Sequence, residues 1–307
     1  MIDFAHRPVM VDEIVSVFQT VPPGVVLDGT VGGGGHAAAI LAARADLSIL
    51  GLDRDPSALE ASRQRLREFS DRVVLQHRRF DEIDAALDDA GIESLSGALF
   101  DLGVSSHQFD EASRGFSYRN DAPLDMRMDP TVAGSAADVV NGATAEELTR
   151  ILREYADERF ARRIADAIVA GRPITTTGHL AEIVVAAIPA PARRRGGHPA
   201  KRTFQALRIE VNRELDVLPV ALDRVVGRLC SGGRVAVLSY HSGEDRIVKE
   251  RFRFHETGGC SCPAGLPCGC GAKRSVTRVR VSARPTDTER ADNPRSASAR
   301  LRVVEAV

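Results

Sequence analysis

Carboxylates placed after short apolar runs, and a cluster of cysteines, are the residues here whose types and spacing could do chemistry. The first carboxylate opens the stretch Leu27-Asp28-Gly29-Thr30-Val31-Gly32-Gly33-Gly34-Gly35-His36. Four successive glycines cost conformational entropy and fill no volume, so they are expected to let the backbone turn tightly and another group come close. Gly32-x-Gly34-x-x-Ala37 also satisfies the dinucleotide fingerprint, a short pattern that a plain turn without a ligand satisfies equally well. Asp53 follows the apolar run Ser48-Ile49-Leu50-Gly51-Leu52, close to the distance at which a ribose-binding acid belongs. A carboxylate there can accept from both ribose hydroxyls. Asp101 ends a third such run, Ala98-Leu99-Phe100. The glycine turn and Asp53 together predict a nucleoside-bearing cofactor. The cysteines Cys260, Cys262, Cys268 and Cys270 form a C-x-C-x5-C-x-C pattern. Four thiolates can fill a tetrahedral zinc site, although zinc modules usually separate paired cysteines by two to four residues. Reduced loop cysteines are the competing reading.

The elements that must position these residues follow from the apolar pattern. Val25-Val26-Leu27 reads as a strand, and Ala37 to Ala42 as a helix directly after the glycine turn. Pro56 to Phe69 has proline in its first turn and Leu59 and Leu66 at helical spacing. Val73-Val74-Leu75 is a third strand ending near His77 to Phe80, then a helix over Glu82 to Ala90 leads to a fourth strand before Asp101. This alternation predicts a parallel, doubly wound α/β sheet. Between His107 and about Ala200 no strand pattern occurs. A loop from Ser113 to Asp129 is followed by a helix with a capping box at Thr144 and Glu147, its apolar stripe running through Leu148, Ile151, Leu152 and Tyr155. Two further helices carry Phe160, Ile164 and Ile168, then Leu180, Ile183, Val184, Ala187 and Ile188. The expected organisation is a helical domain over 109–202, inserted between the sheet segments 1–108 and 203–307. A long helix is expected from Thr203, with Phe204, Leu207, Val211, Leu215 and Leu218 on one stripe. Arg234 to Leu238 resumes the sheet, and Val276 to Val281 with Leu301 to Val304 forms a closing antiparallel hairpin.

Composition narrows the class. The 307 residues are 43% hydrophobic and 27% charged, as in a globular protein with a sizeable core. No apolar run approaches the roughly 18 residues of a membrane span, and Met1-Ile2-Asp3-Phe4 begins no signal peptide, so a cytoplasmic location without membrane contact is expected. A net charge of -1 hides an uneven distribution. The chain is acidic between Asp81 and His107 and basic from Ile188 to Glu214 and from Gly271 to Val303. The basic segments suit a surface that faces phosphates, or are solvated faces.

A nicotinamide-dependent oxidoreductase would repeat the mononucleotide-type unit in its second half. Here an acid ends the fourth strand, a helical insert follows and a hairpin closes the sheet. That arrangement resembles the class I S-adenosylmethionine-dependent methyltransferases, a Rossmann-like fold. The resemblance narrows over His6-x-Pro8-Val9, Asp28-Gly29-Thr30-x-Gly32-x-Gly34-Gly35-His36, Asp101-Leu102-Gly103-Val104-Ser105-Ser106 and Arg114-Gly115-Phe116-Ser117. It continues through Pro123-Leu124-Asp125-Met126-Arg127-Met128, His198-Pro199-Ala200-Lys201-Arg202-Thr203-Phe204-Gln205-Ala206-Leu207-Arg208 and Tyr240-His241-Ser242-x-Glu244-Asp245-Arg246. These stretches span nearly the whole chain and resemble the ribosomal RNA small subunit methyltransferase H family, MraW or RsmH. The resemblance implies methylation of the exocyclic N4 of a cytidine in the decoding (P-site) region of 16S rRNA, with the small ribosomal subunit as partner. It also implies cofactor contacts at Gly34, Gly35, His36, Asp53, Phe80, Asp101 and Gln108. Phe80 would flank the adenine, or be a core aromatic. Gly243 and Tyr240 depart from the leucine and phenylalanine usual in the family, a matter of local packing.

A cytosine amine is a poor nucleophile, because its lone pair is delocalised into the ring. Asp101 either polarises that amine or holds the cofactor, and the cofactor contact is favoured. Ser105, Ser106 and His241 are candidate substrate contacts. A hydrolase triad through Ser105 and His241 lacks its G-x-S-x-G elbow. The target base must leave any stack to be reached. Arg193, Arg194, Arg195, Lys201 and Arg202, with the basic stretch Lys273 to Arg284, are the expected phosphate contacts. A different class of function, a zinc-knuckle RNA-binding module without catalysis, rests on the cysteines alone.

Overall fold

The chain folds, in a computed structural model that describes residues 8–105, 108–109, 111–193, 197–263 and 269–307, into two compact units. The first comprises residues 1–103 and 215–307, the second residues 104–214.

In the first unit, helix α1 (Val11–Phe18) leads into β1 (Gly24–Asp28), α2 (Gly35–Ala43), β2 (Leu47–Asp53), α3 (Pro56–Arg65), β3 (Val73–His77), α4 (Ile83–Ala90) and β4 (Leu95–Asp101). Strands β1, β2 and β4 read as near-continuous apolar runs because both faces of a parallel sheet are covered. Successive residues point to opposite faces. Leu27, Leu50, Leu52, Ala98 and Phe100 enter one core with Ile83 and Leu87, whereas Val26, Ile49 and Leu99 enter the other with Ile14, Phe18, Ile40 and Leu59.

The second unit is helical. It holds α5 (Ala136–Gly142), α6 (Ala145–Ala156), α7 (Ala161–Ala170), α8 (Thr177–Ala187), the short α9 (Ala190–Arg193) and α10 (Lys201–Asn212). Its described residues contain no strand, only an isolated bridge between Pro123 and Thr176. The capping box at Thr144 and Glu147 is formed, and Ser135 with Asp138 makes a second one that starts α5. Leu148, Ile151, Leu152, Ile164, Ile168, Leu180, Val184, Phe204 and Leu207 share one core. Asn212 is buried in this unit, where its amide bonds the carbonyls of Met126 and Arg208 at 2.8 Å and its carbonyl accepts from the Met128 N–H at 2.8 Å.

The chain then continues through α11 (Glu214–Gly227), β5 (Leu229–Ser239), α12 (Ser242–Thr257), β6 (Val276–Val279), α13 (Asp287–Asp292) and β7 (Arg300–Ala306). The single long helix expected from Thr203 is two helices. Arg213 adopts φ 52° and its N–H closes onto the carbonyls of Glu210 and Ile209, which ends α10. The apolar stripe is therefore split: Phe204 and Leu207 belong to the helical core, and Leu218 to the sheet core. The chain leaves the helical unit after Glu214, not at Thr203.

All seven strands form one sheet in the order β3-β2-β1-β4-β5-β7-β6. Strands β1 to β5 pair in parallel, and β7 runs antiparallel between β5 and β6. The closing pair is wider than a tight hairpin, because α13 lies in the connection. A mononucleotide-type second half is absent from this order, which is that of the class I methyltransferase fold. No helix among the described residues is long and apolar enough to cross a membrane.

Candidate active site

Strands β2, β1 and β4 are neighbours, and each ends in an acid: Asp53, Asp28 and Asp101. The carboxyl ends of parallel strands are where open α/β sheets bind ligands. The connection from β1 to α2 is built around these acids. Asp28 Oδ1 accepts from the Thr30 N–H at 3.2 Å, and Thr30 Oγ1 accepts from the Asp101 N–H at 2.7 Å, which ties the ends of β1 and β4 together. Asp53 Oδ2 accepts from the Gly32 N–H at 2.8 Å and its Oδ1 from the Asp55 N–H at 2.9 Å. Asp53 therefore shapes the glycine turn as well as ending β2.

The glycines serve the protein's own packing more than the sequence suggests. Gly34 sits at φ 74°, and a Cβ at Gly35 would lie 2.5 Å from Pro8 Cγ. Gly33 faces open space, with nothing within 4 Å of its Cβ position. Close approach by a separate group is thus available at Gly33, while Pro8 occupies that position at Gly35. His36 is buried, and its Nε2 donates to the Val9 carbonyl at 2.9 Å. Its Nδ1 faces Asp101 Oδ2 at 3.7 Å.

Asp101 gains a further partner from the end of β5. The Tyr240 hydroxyl donates to Asp101 Oδ1 at 2.6 Å. Burial and the Asp101 carboxylate hold this hydroxyl well above the ordinary tyrosine range, so it stays a donor. The tyrosine at this position is a polar contact to a strand-end acid, which the sequence had suggested only as local packing. Glu244, named in the sequence only within its stretch, has a structural role. It is buried in the first turn of α12, and its Oε2 accepts from the backbone N–H groups of Tyr240 at 2.7 Å and His241 at 3.3 Å. His241 is the N-cap of α12, with Nδ1 accepting from the Glu244 N–H at 3.4 Å. The signal was a His-x-x-Glu variant of the capping box. The His241 Nε2 atom is buried 3.1 Å from Glu244 Oε1 but off the hydrogen-bond axis, and has no aligned partner. Phe80 is buried against Phe100, with ring centroids 5.8 Å apart in an edge-to-face pair, and the Arg54 guanidinium lies 5.8 Å from its ring.

Burial dominates the electrostatics of the strand ends. Burial, with Asp101 and Asp53 nearby, pushes Asp28 up to about 8 despite its bond from Thr30. Burial also raises Asp53, against the bonds from Asp55 and Gly32. The folded chain thus holds the Asp28 proton up to about pH 8, whereas an unfolded chain releases it near 3.8. The folded state binds the extra proton across that window, so stability falls as pH rises through it and levels off above the folded value. Asp28→Asn removes this titration. Measured by denaturant unfolding without cofactor, the variant is expected to gain on the native chain between about pH 5 and about pH 8. A difference that stays flat with pH would refute the assignment.

Other residues marked in the sequence lie elsewhere. Ser105 and Gln108 belong to the helical unit. The Ser105 N–H bonds Gln108 Oε1 at 3.0 Å, the Gln108 N–H bonds Ser105 Oγ at 3.3 Å, and Gln108 is buried. Arg193 donates to the carbonyls of Ile188 at 2.6 Å and Ala186 at 3.1 Å, and Arg202 to that of Asp157 at 2.7 Å, while Lys201 is exposed. The sulfurs of Cys260, Cys262 and Cys270 lie within 4.8 Å of one another, none in a disulfide. Backbone N–H groups of Gly269 and Cys270 bond the Cys262 sulfur and hold its thiol below the ordinary range. His6, Ser106, Arg194, Arg195 and Cys268 lie outside the described residues.

Comparison with known proteins identifies the family of the whole chain. Residues 3–307 match the MraW methylase family. The chain is 52% identical over 309 residues to the ribosomal RNA small subunit methyltransferase H of Thermobifida fusca, covering 98% of this chain and 93% of the relative. It is 49% identical over 313 residues to the protein of the same name from Heliobacterium modesticaldum, covering 99% of each. A solved rRNA methylase from Streptococcus thermophilus aligns over 97% of this chain and 93% of its own, at TM-score 0.43 and 13% identity, too remote to inform the site.

Proposed function

The chain belongs to the MraW methylase family, and from that premise we propose that it transfers a methyl group from S-adenosylmethionine to the exocyclic N4 of a cytidine in the decoding region of 16S rRNA. The observation that carries this reading is the set of acids at three adjacent strand ends beside the glycine turn. S-adenosylmethionine, when bound, supplies an electrophilic methyl group on a sulfonium sulfur.

In this reading Asp53 accepts from the ribose hydroxyls with the lone pairs its backbone bonds leave over. Backbone at Gly33 approaches the methionine portion, and Phe80 flanks the adenine. Gly34, Gly35 and His36 fix the turn, and Gln108 completes the cofactor contacts. Asp101 holds the cofactor in an orientation set by Tyr240. Ser105, Ser106 and His241 meet the base, His241 through its unaligned Nε2–H. The amine must lose a proton as the new bond forms, since a cytosine N4 lone pair is conjugated with the ring. Arg193, Arg194, Arg195, Lys201 and Arg202 are proposed phosphate contacts, which position RNA without choosing the base. Tritiated S-adenosylmethionine incubated with the chain and either small-subunit particles or naked 16S rRNA tests the reading. Label is expected in RNA, and absence of label from both substrates would overturn it.

The cysteines support a structural zinc ion in the same protein. Thiolates sharing one zinc at about 2.3 Å lie about 3.8 Å apart, and the Cys260 and Cys270 sulfurs are already at 3.5 Å. Elemental analysis under reducing conditions is expected to find close to one zinc per chain. Less than about a tenth would leave these residues as ordinary loop cysteines. A zinc-bearing RNA-binding module without catalysis would bind no S-adenosylmethionine, and a cofactor titration separates the two readings.

A further inference from the structure

A cleft of about 610 Å³ opens beside Tyr240 and His241, along the first three turns of α12. Arg246, Lys249 and Arg253 line it from the helix and Arg300 from the start of β7. The three helix residues are spaced i, i+3 and i+7, which puts them on one face. At 1.5 Å per residue they form a row roughly 10 Å long.

A row of exposed cations is most often a solvated face. Two observations argue otherwise here. Among the described residues, Arg246, Lys249 and Arg253 make no ion pair, although other cations nearby are neutralised. Arg251 is bonded to Asp223 at 2.8 Å, and Arg302 to Asp245 at 2.7 Å and 3.0 Å. Of the acids lining the cleft, Asp245 is bonded to Arg302, lies 3.6 Å from Arg300 and also faces Lys249 at longer range, and Glu250 is the other acid beside the row. The second observation is His241, whose buried Nε2 lacks an aligned acceptor at the inner end of the same cleft. Tyr240, beside it, bonds Asp101 directly. The cleft is therefore continuous with the strand-end site through one side chain.

We propose that this cleft carries the phosphates of the RNA strand next to the target nucleotide, with Arg246, Lys249 and Arg253 as positioning residues. A linear polyanion fits a linear row better than a single small anion does, and the row runs away from the site where the base must enter. The inference rests on the methyl-transfer reading and specifies how that site takes its substrate. These cations would fix the strand and leave choice of base to groups nearer Asp101.

The test uses the full chain carrying R246Q, K249Q and R253Q together. Each phosphate neutralised on a single strand contributes about 0.7 to the slope of log affinity against log salt. Loss of three such contacts is expected to flatten the slope for small-subunit RNA by about 2 and to raise KM for that substrate at least about tenfold. S-adenosylmethionine affinity and kcat are expected to hold. The variant R246K with R253K keeps the charges and is expected to keep the native slope, which a merely structural role would not require. A native slope and KM in the folded triple variant would overturn the proposal. Failure of the unmodified chain to transfer methyl would instead overturn the function reading, because the salt slope is read from RNA binding alone.

Discussion

Asp53→Ala is expected to weaken S-adenosylmethionine binding by about 1.5–3 kcal/mol, the range for hydrogen bonds to a charged group. That corresponds to an affinity loss on the order of 10- to 100-fold. The effect has two sources. Alanine removes the proposed ribose acceptor, and it also releases the Gly32 and Asp55 N–H groups that Asp53 holds at 2.8 Å and 2.9 Å. Asp53→Asn retains one side-chain oxygen acceptor and is expected to fall between the two. Calorimetry on folded variants separates them. Native affinity in the alanine variant would reject the ribose assignment.

Asp101→Ala is expected to raise the S-adenosylmethionine dissociation constant by a similar factor. At saturating cofactor, transfer is expected to slow by less than about tenfold. The distinction matters because the same acid is within reach of two jobs. Polarising the cytosine amine would appear as a loss of about 10²–10⁴-fold in kcat with affinity unchanged, the size associated with general acid–base catalysis. Cofactor contact appears mainly in affinity. The bond from Tyr240 at 2.6 Å and the tie of its N–H to Thr30 anchor Asp101 to the glycine turn, which favours the second outcome. A slow variant with native affinity would transfer Asp101 to the chemistry.

Where the sequence was read correctly, the signal was local. Buried parallel strands are short apolar runs, and Asp28, Asp53 and Asp101 follow them directly, so their shared position at strand ends was legible. The capping box at Thr144 and Glu147 was equally local. What escaped depended on distant partners or on one backbone angle. Tyr240 and Asp101 are 139 residues apart in sequence, and neither side chain announces the other. The left-handed Arg213 that splits the long helix has no glycine to mark it. Gly35 must lack a Cβ because Pro8 packs there, a contact that no motif encodes. Arg193 and Arg202 read as phosphate contacts, and the carbonyls they also bond were not legible. Meanwhile the unpaired row on α12 was hidden in a segment of mixed charge.

The modified atom can be identified directly. Small-subunit particles lacking the modification, incubated with the chain and S-adenosylmethionine, can be digested to nucleosides and resolved by mass spectrometry against synthetic standards. N4-methylcytidine is expected, from one site in the decoding region, and less of it with Asp53→Ala at limiting cofactor. Methyl label recovered as 5-methylcytidine, on the ribose or on another base would contradict the proposed function.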